Sequence, residues 1–135
     1  MEKRYEEIEH TADMAMRAYG RDMKELFANA AYGMFSLMAD LSSITPAVHR
    51  RVHLQAPDQE ALLVDWLNEL LYLHEAEGEV YCSFDIQDLS PTELSATVGG
   101  EKTEAVTKVI KAATFHELKI ARTEDGYAAT ITFDI

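Results

Sequence analysis

Apolar positions along this chain recur either every second residue or with a helical period, and the switches between the two periods mark out the elements. Tyr5 to Glu9 and Met14 to Tyr19 read as short strands, with His10 to Asp13 as a polar turn between them and Gly20 closing the second. Met23, Leu26, Phe27, Ala30, Ala31, Met34, Leu37 and Met38 then fall on one face of a helix that runs to about Ala39. Asp22 stands as its N-cap and Glu25 follows three residues later, the capping-box pattern in which each side chain takes a backbone N–H at the helix start. Leu41 to Ile44 connects this helix to a strand over Ala47 to Gln55, where Val48, Val52 and Leu54 share one face and His49, Arg51 and His53 the other. Pro57-Asp58 opens a second helix with Asp58 as its cap. Its wide apolar stripe of Leu62, Leu63, Trp66, Leu67, Leu70 and Leu71 must be buried against a sheet.

The remainder is strand-rich. Val80, Cys82, Phe84 and Ile86 alternate with Tyr81, Ser83, Asp85 and Gln87, and Leu94, Ala96 and Val98 repeat the pattern after a Ser90-Pro91 turn. Gly99-Gly100 reads as the end of that strand, and a polar loop containing Val106, Val109 and Ile110 leads to Lys111-Ala112-Ala113-Thr114. Two last strands, His116 to Ala121 and Tyr127 to Asp134, flank Glu124-Asp125-Gly126, a hairpin signal. The pattern predicts an α+β fold: a two-layer domain with two amphipathic helices packed on one face of a mixed, mostly antiparallel sheet. Thr97, Thr130 and Thr132 suit a solvated opposite face.

Size and charge narrow the function. At 135 residues and 47% hydrophobic, the chain suits one domain, residues 1–135, with a single buried core. Its 24 acidic and 12 basic residues give a net charge of -12, which disfavours direct RNA or DNA binding because that binding needs cations to displace counterions from phosphates. Cys82 is the one cysteine, so an internal disulfide and multi-cysteine metal sites are excluded, and it reads as a small buried hydrophobe. The charged start, Met1 to Glu7, is unlike a signal peptide and no run is long enough for a membrane span, so a cytoplasmic location without membrane contact is expected.

Candidate chemistry is sparse. Glycine-rich nucleotide loops, a nucleophile elbow and His-Glu-x-x-His are all missing. His49 and His53 share a face, but four residues along a strand span about 13 Å, too far for one ion, and they read as solvated. Asp13, Lys111, Thr114, His116 and Asp134 lie at element ends, where loops gather side chains. By strand parity Asp134 points away from the apolar face. Beside the α-carboxylate of Ile135 and with Asp13 from a neighbouring turn, it would offer the hard oxygens that suit a divalent cation, Ca²⁺, Mg²⁺ or Mn²⁺ rather than zinc. Each aspartate taken alone reads first as a solvated charge, and Lys111 as a partner of one of the many carboxylates.

Five blocks in series change this picture. Tyr5-Glu6-Glu7-Ile8-Glu9-His10-Thr11-Ala12-Asp13, Glu25-Leu26-Phe27-Ala28-Asn29-Ala30-Ala31, Leu62 to Tyr72, Ile110-Lys111-Ala112-Ala113-Thr114-Phe115-His116 and Phe133-Asp134-Ile135 together resemble the archease family from end to end. The departures, Tyr127 where a tryptophan is expected and Met14 and Met16 for aliphatic residues, concern packing. The resemblance implies no catalysis by this chain itself but a protein cofactor of an RtcB-type RNA ligase. That ligase joins 3′-phosphate or 2′,3′-cyclic phosphate ends to a 5′-hydroxyl in tRNA splicing, and archeases promote its guanylylation and multiple turnover. It further implies that Asp13, Asp134 and the Ile135 carboxylate bind the metal, that Lys111 is needed for activation, and that tRNA is met only through the ligase. His10 and His116 are read as structural support. An alternative implied by the family is a chaperone-like modulator of an RNA-modifying enzyme such as a tRNA methyltransferase.

Overall fold

The structure, a computed structural model, describes residues 3–8 and 14–135. Its elements are β1 (Tyr5–Ile8), β2 (Met14–Gly20), α1 (Met23–Met38), a 3-10 turn (Leu41–Ser43), β3 (Val48–Gln55), α2 (Gln59–Glu77), β4 (Glu79–Leu89), β5 (Glu93–Lys102), β6 (Ala112–Thr123) and β7 (Gly126–Asp134). Both helices start where a local carboxylate supplies the missing acceptor. Asp22 takes the N–H of Glu25 at 2.8 Å and Asp58 that of Ala61 at 2.8 Å. Glu25 reaches back one residue further than the capping box expects: its carboxylate accepts from the Arg21 N–H at 2.9 Å and also binds the Arg21 guanidinium. α2 ends on Gly78, whose φ of 68° is the left-handed C-cap that glycine adopts without a Cβ penalty.

The α+β class, two helices on antiparallel strands, is as expected. The strands are divided between two sheets, in the orders β1-β2-β7-β6 and β3-β5-β4, and all their pairings among the described residues are antiparallel. α1 packs on β2 of the first sheet and β4 of the second, so one helix spans both. α2 lies along β6, and its Trp66 indole N–H donates to the Phe27 carbonyl of α1 at 2.9 Å. Met16, Ile131 and Phe133 from the first sheet meet Leu26, Phe27, Met34, Leu63, Trp66 and Leu67 in one buried core. Burial of that apolar stripe, rather than helix propensity, is what holds the helices in place.

Three local expectations are corrected. β5 does not end at Gly99-Gly100 but runs through them to Lys102; a Cβ at Gly100 would stand 2.0 Å from the Val80 carbonyl oxygen, so the glycine marks close approach to β4 and not a stop. β6 starts at Ala112 and not at His116, and carries a wide bulge in which Phe115 to Leu118 oppose the single Ile131. Glu117 in that bulge takes a positive φ of 54°. Thr132 is buried instead of solvated, flanked in register by Ala15 and Thr114 on the adjoining strands.

One polar group is buried on the helix side of the second sheet. Arg50 of β3 follows the inward parity of Val48, Val52 and Leu54, and its guanidinium grips the Glu79 carboxylate through Nε at 2.9 Å and Nη2 at 2.8 Å. The Tyr81 hydroxyl donates to the same carboxylate at 2.7 Å, and His74 Nδ1 lies 2.8 Å from the Glu79 carbonyl oxygen. The arginine holds the Glu79 carboxyl below its usual range, against the opposing effect of burial.

Candidate functional site

The end of the first sheet where β7 finishes and β6 begins brings Lys111, Asp134 and Ile135 together. Met14, the residue after Asp13, is opposite Phe133, and Ala112 is opposite Asp134. The Lys111 N–H donates to the Asp134 carbonyl at 2.8 Å, so backbone bonding holds these two residues side by side although their side chains come from different elements. Phe133 is buried while Lys111, Asp134 and Ile135 are exposed, as strand parity requires for Asp134. Among the described residues neither the Asp134 carboxylate nor the Lys111 ammonium engages in a hydrogen bond or ion pair. Asp13 and His10 lie outside the described residues.

A second helix pins the strand that follows Lys111. The Asn68 amide of α2 donates to the Ala113 carbonyl at 3.0 Å and accepts the Ala113 N–H at 2.7 Å. Sequence reasoning passed over Asn68; the available signal was an amide set between Leu67 and Leu70 in an otherwise apolar helical stripe. Beside it runs an open groove of about 780 Å³ lined by Asn68, Leu71, Tyr72, Glu75, Val109 and Lys111. Tyr72 and Val109 are 64% and 65% exposed there, and Ile135, next to Asp134, is 53% exposed. Large apolar side chains in water thus cluster at the end that also carries the unengaged charges.

His116 sits in the β6 bulge, with its backbone N–H donating to Thr114 Oγ1 at 3.2 Å and its Nε2 3.5 Å from Glu117. The structure joins it to those neighbours rather than to Lys111 or Asp134. On the outer face of the second sheet His49 is exposed, and His53 stands between Ser95 Oγ at 2.9 Å and Glu93 at 3.2 Å, a surface arrangement that forms no metal-ligating cluster among the described residues. Cys82 is half-buried against the Ile44 carbonyl, and burial pushes its thiol up.

Among the described residues, no three of His, Cys, Asp and Glu stand close enough to hold a metal ion. Among the described residues the Asp134 carboxylate is nonetheless a hard, unengaged oxygen donor, of the kind that suits a divalent cation once further carboxylates join it. No helix among the described residues is long and apolar enough to cross a membrane.

Comparison with known proteins yields one consistent family. Residues 5–135 match the model of the archease protein family (MTH1598/TM1083). A protein archease of Methanosarcina acetivorans is 39% identical over 141 residues, spanning 98% of this chain and 97% of its own. A protein archease of Saccharolobus islandicus is 39% identical over 136 residues, spanning 97% of this chain and 98% of its own. The solution structure of Methanobacterium thermoautotrophicum protein 1598 superposes with a TM-score of 0.80 at 33% identity, over 98% of this chain and 99% of that one. The crystal structure of an archease, described as a possible chaperone, from Thermotoga maritima shares the fold with a TM-score of 0.65 at 24% identity, over 95% and 94% of the two chains.

Proposed function

The chain belongs to the archease family, and from that premise we propose that it is an accessory protein that activates an RtcB-type RNA ligase in tRNA splicing by promoting guanylylation of the ligase. The observation that carries this reading is the Lys111–Asp134 juxtaposition: two residues of opposite charge whose backbones are held side by side by a 2.8 Å bond, both exposed and with side chains unengaged among the described residues. A salt bridge serving stability would have its partner. A charge kept free at a strand end is available to another molecule.

In this reading Asp13, Asp134 and the Ile135 carboxylate hold a divalent cation, Ca²⁺ or else Mg²⁺ or Mn²⁺, and Lys111 acts on the ligase. The cation, when bound, would supply charge neutralisation at the phosphates of the nucleotide. Lys111 would offer its ammonium to an anionic oxygen in the ligase site, and Asp134 would orient the acidic tip towards it. The net charge of -12 favours encounter with the basic, RNA-binding surface of a ligase and opposes independent binding of tRNA.

The test is to mix the chain with the RtcB-type ligase of its own source, GTP and a divalent cation, and to time covalent ligase–guanylate formation. Acceleration of roughly tenfold or more, ~1.4 kcal/mol of barrier, is expected; an unchanged rate over a range of protein ratios contradicts the proposal. A second reading, a chaperone-like modulator of an RNA-modifying enzyme such as a tRNA methyltransferase, is favoured by the exposed Tyr72, Val109 and Phe115. It requires that the chain suppress thermal aggregation of such an enzyme and that Tyr72→Ser with Val109→Ser abolish the protection.

A further inference from the structure

We infer that Asn68 is a positioning residue of the activation site, setting Lys111 against Asp134; the inference rests on the reading of those two residues given above. The stretch that carries Lys111 has little of its own to hold it. Residues 103–111 form no regular element, and from Phe115 to Leu118 β6 leaves its ladder with β7, so only Ala112, Ala113 and Thr114 stay in register between loop and bulge. A three-residue ladder is a weak anchor.

Asn68 reinforces it from the opposite side. β6 is the edge strand of its sheet, and at Ala113 the Asn68 side chain gives and takes one hydrogen bond each, at 3.0 and 2.7 Å, as a neighbouring strand would. Ala113 is buried, so both of its polar backbone groups need these partners. The same residue pairs with Phe133 on the inner side, which fixes β6 against the chain end two residues from Lys111. The primary amide supplies a donor and an acceptor on two neighbouring atoms, as a strand backbone does; leucine supplies neither and aspartate lacks the donor. α2 makes a comparable but single contact at the far end of β6, where Glu60 accepts the Ile120 N–H at 3.3 Å. That contact touches the same strand remote from the site and serves as a matched control.

The experiment combines amide hydrogen exchange with ligase guanylylation at limiting and saturating concentrations of the chain. Asn68→Ala is expected to speed exchange at Ala113 and Lys111 roughly tenfold and to lower the guanylylation rate at saturation by a similar factor, with the half-saturating concentration little changed. Glu60→Ala should open Ile120 and leave guanylylation as in the wild type. Asn68→Asp, which keeps the acceptor, should fall between wild type and Asn68→Ala and carries the test if the alanine variant does not fold. Wild-type guanylylation by Asn68→Ala alongside a loss in Lys111→Ala would overturn this inference alone. Unchanged rates in Lys111→Ala and Asp134→Ala would overturn the reading of the site, and the inference with it. Equal losses in Asn68→Ala and Glu60→Ala would reduce Asn68 to a stabilising residue.

Discussion

Glu79 opens β4 and Asp134 closes β7, yet the two carboxylates live under opposite regimes. Glu79 is 4% exposed and surrounded by donors: two from the Arg50 guanidinium and one from Tyr81. Asp134 is exposed, and among the described residues only its backbone is engaged, by the Lys111 N–H. A buried charge must be fully answered or the fold suffers, so its surroundings report on stability. A charge left unanswered at an exposed strand end costs the fold nothing in water and stays available for a ligand. The difference separates the acid that holds the molecule together from the acid that, in the function proposed above, is offered to a partner.

The largest way to break this comparison is to exchange the consequences of losing each acid. Glu79→Ala leaves the Arg50 guanidinium with only the Glu77 carboxylate, 3.3 Å from its Nη2, and should cost about 2–3 kcal/mol in urea unfolding, below the usual range for one partner of a buried pair because Arg50 is 35% exposed and keeps that second partner. Asp134→Ala should leave the unfolding midpoint where it is. Equal destabilisation by the two would erase the distinction.

The helix beneath β1 and β2 offers a second separation. A Cβ on Gly33 would lie 2.6 Å from Met16 Sδ and 2.8 Å from Tyr5 Cγ, so Gly33→Ala overpacks the seam under the two strands that flank residues 9–13. We expect a loss of about 1–3 kcal/mol, read by thermal or urea unfolding, from a change that adds one methyl group.

Acid titration gives a smaller effect with a definite sign. Glu79 has its pKa lowered from the ordinary 4.5, first by the Arg50 hydrogen bonds, so the folded state binds fewer protons than the unfolded chain. Its contribution is whole above 4.5 and is lost as pH falls through the lower folded value. Glu25, lowered by Arg21, and Asp40, lowered by Ser42, act in the same direction. Stability should therefore decline in this acid window, and Glu79→Gln should show a flatter decline than the wild type; an identical slope would remove Glu79 from the account.

The contrast was only half legible in the sequence. Capping at Asp22 and Asp58 and the burial of both helix stripes could be read because these interactions are local or periodic. Arg50 stands at an inward-facing strand position, but nothing nearby in sequence announces Glu79, twenty-nine residues on, as its partner. Gly99-Gly100 looked like an end because glycine weakens a strand, whereas the close approach of β4 that requires glycine is a tertiary fact. The start of β6 was hidden because Ala112-Ala113-Thr114 has no alternation, and what places it is the Asn68 amide from another element. At the site, parity set the exposure of Asp134 and the Asp-Gly hairpin signal paired the last two strands; its adjacency to Lys111 depends on the bulge and on β6 starting at Ala112, which the local pattern did not reveal.

The most direct test of the central claim is the single-turnover rate of ligase guanylylation with the wild-type chain, Asp13→Ala, Asp134→Ala and Lys111→Ala, each shown by circular dichroism to be folded. The account predicts that all three folded variants lose most of the acceleration while keeping wild-type stability. Wild-type acceleration by all three would contradict it.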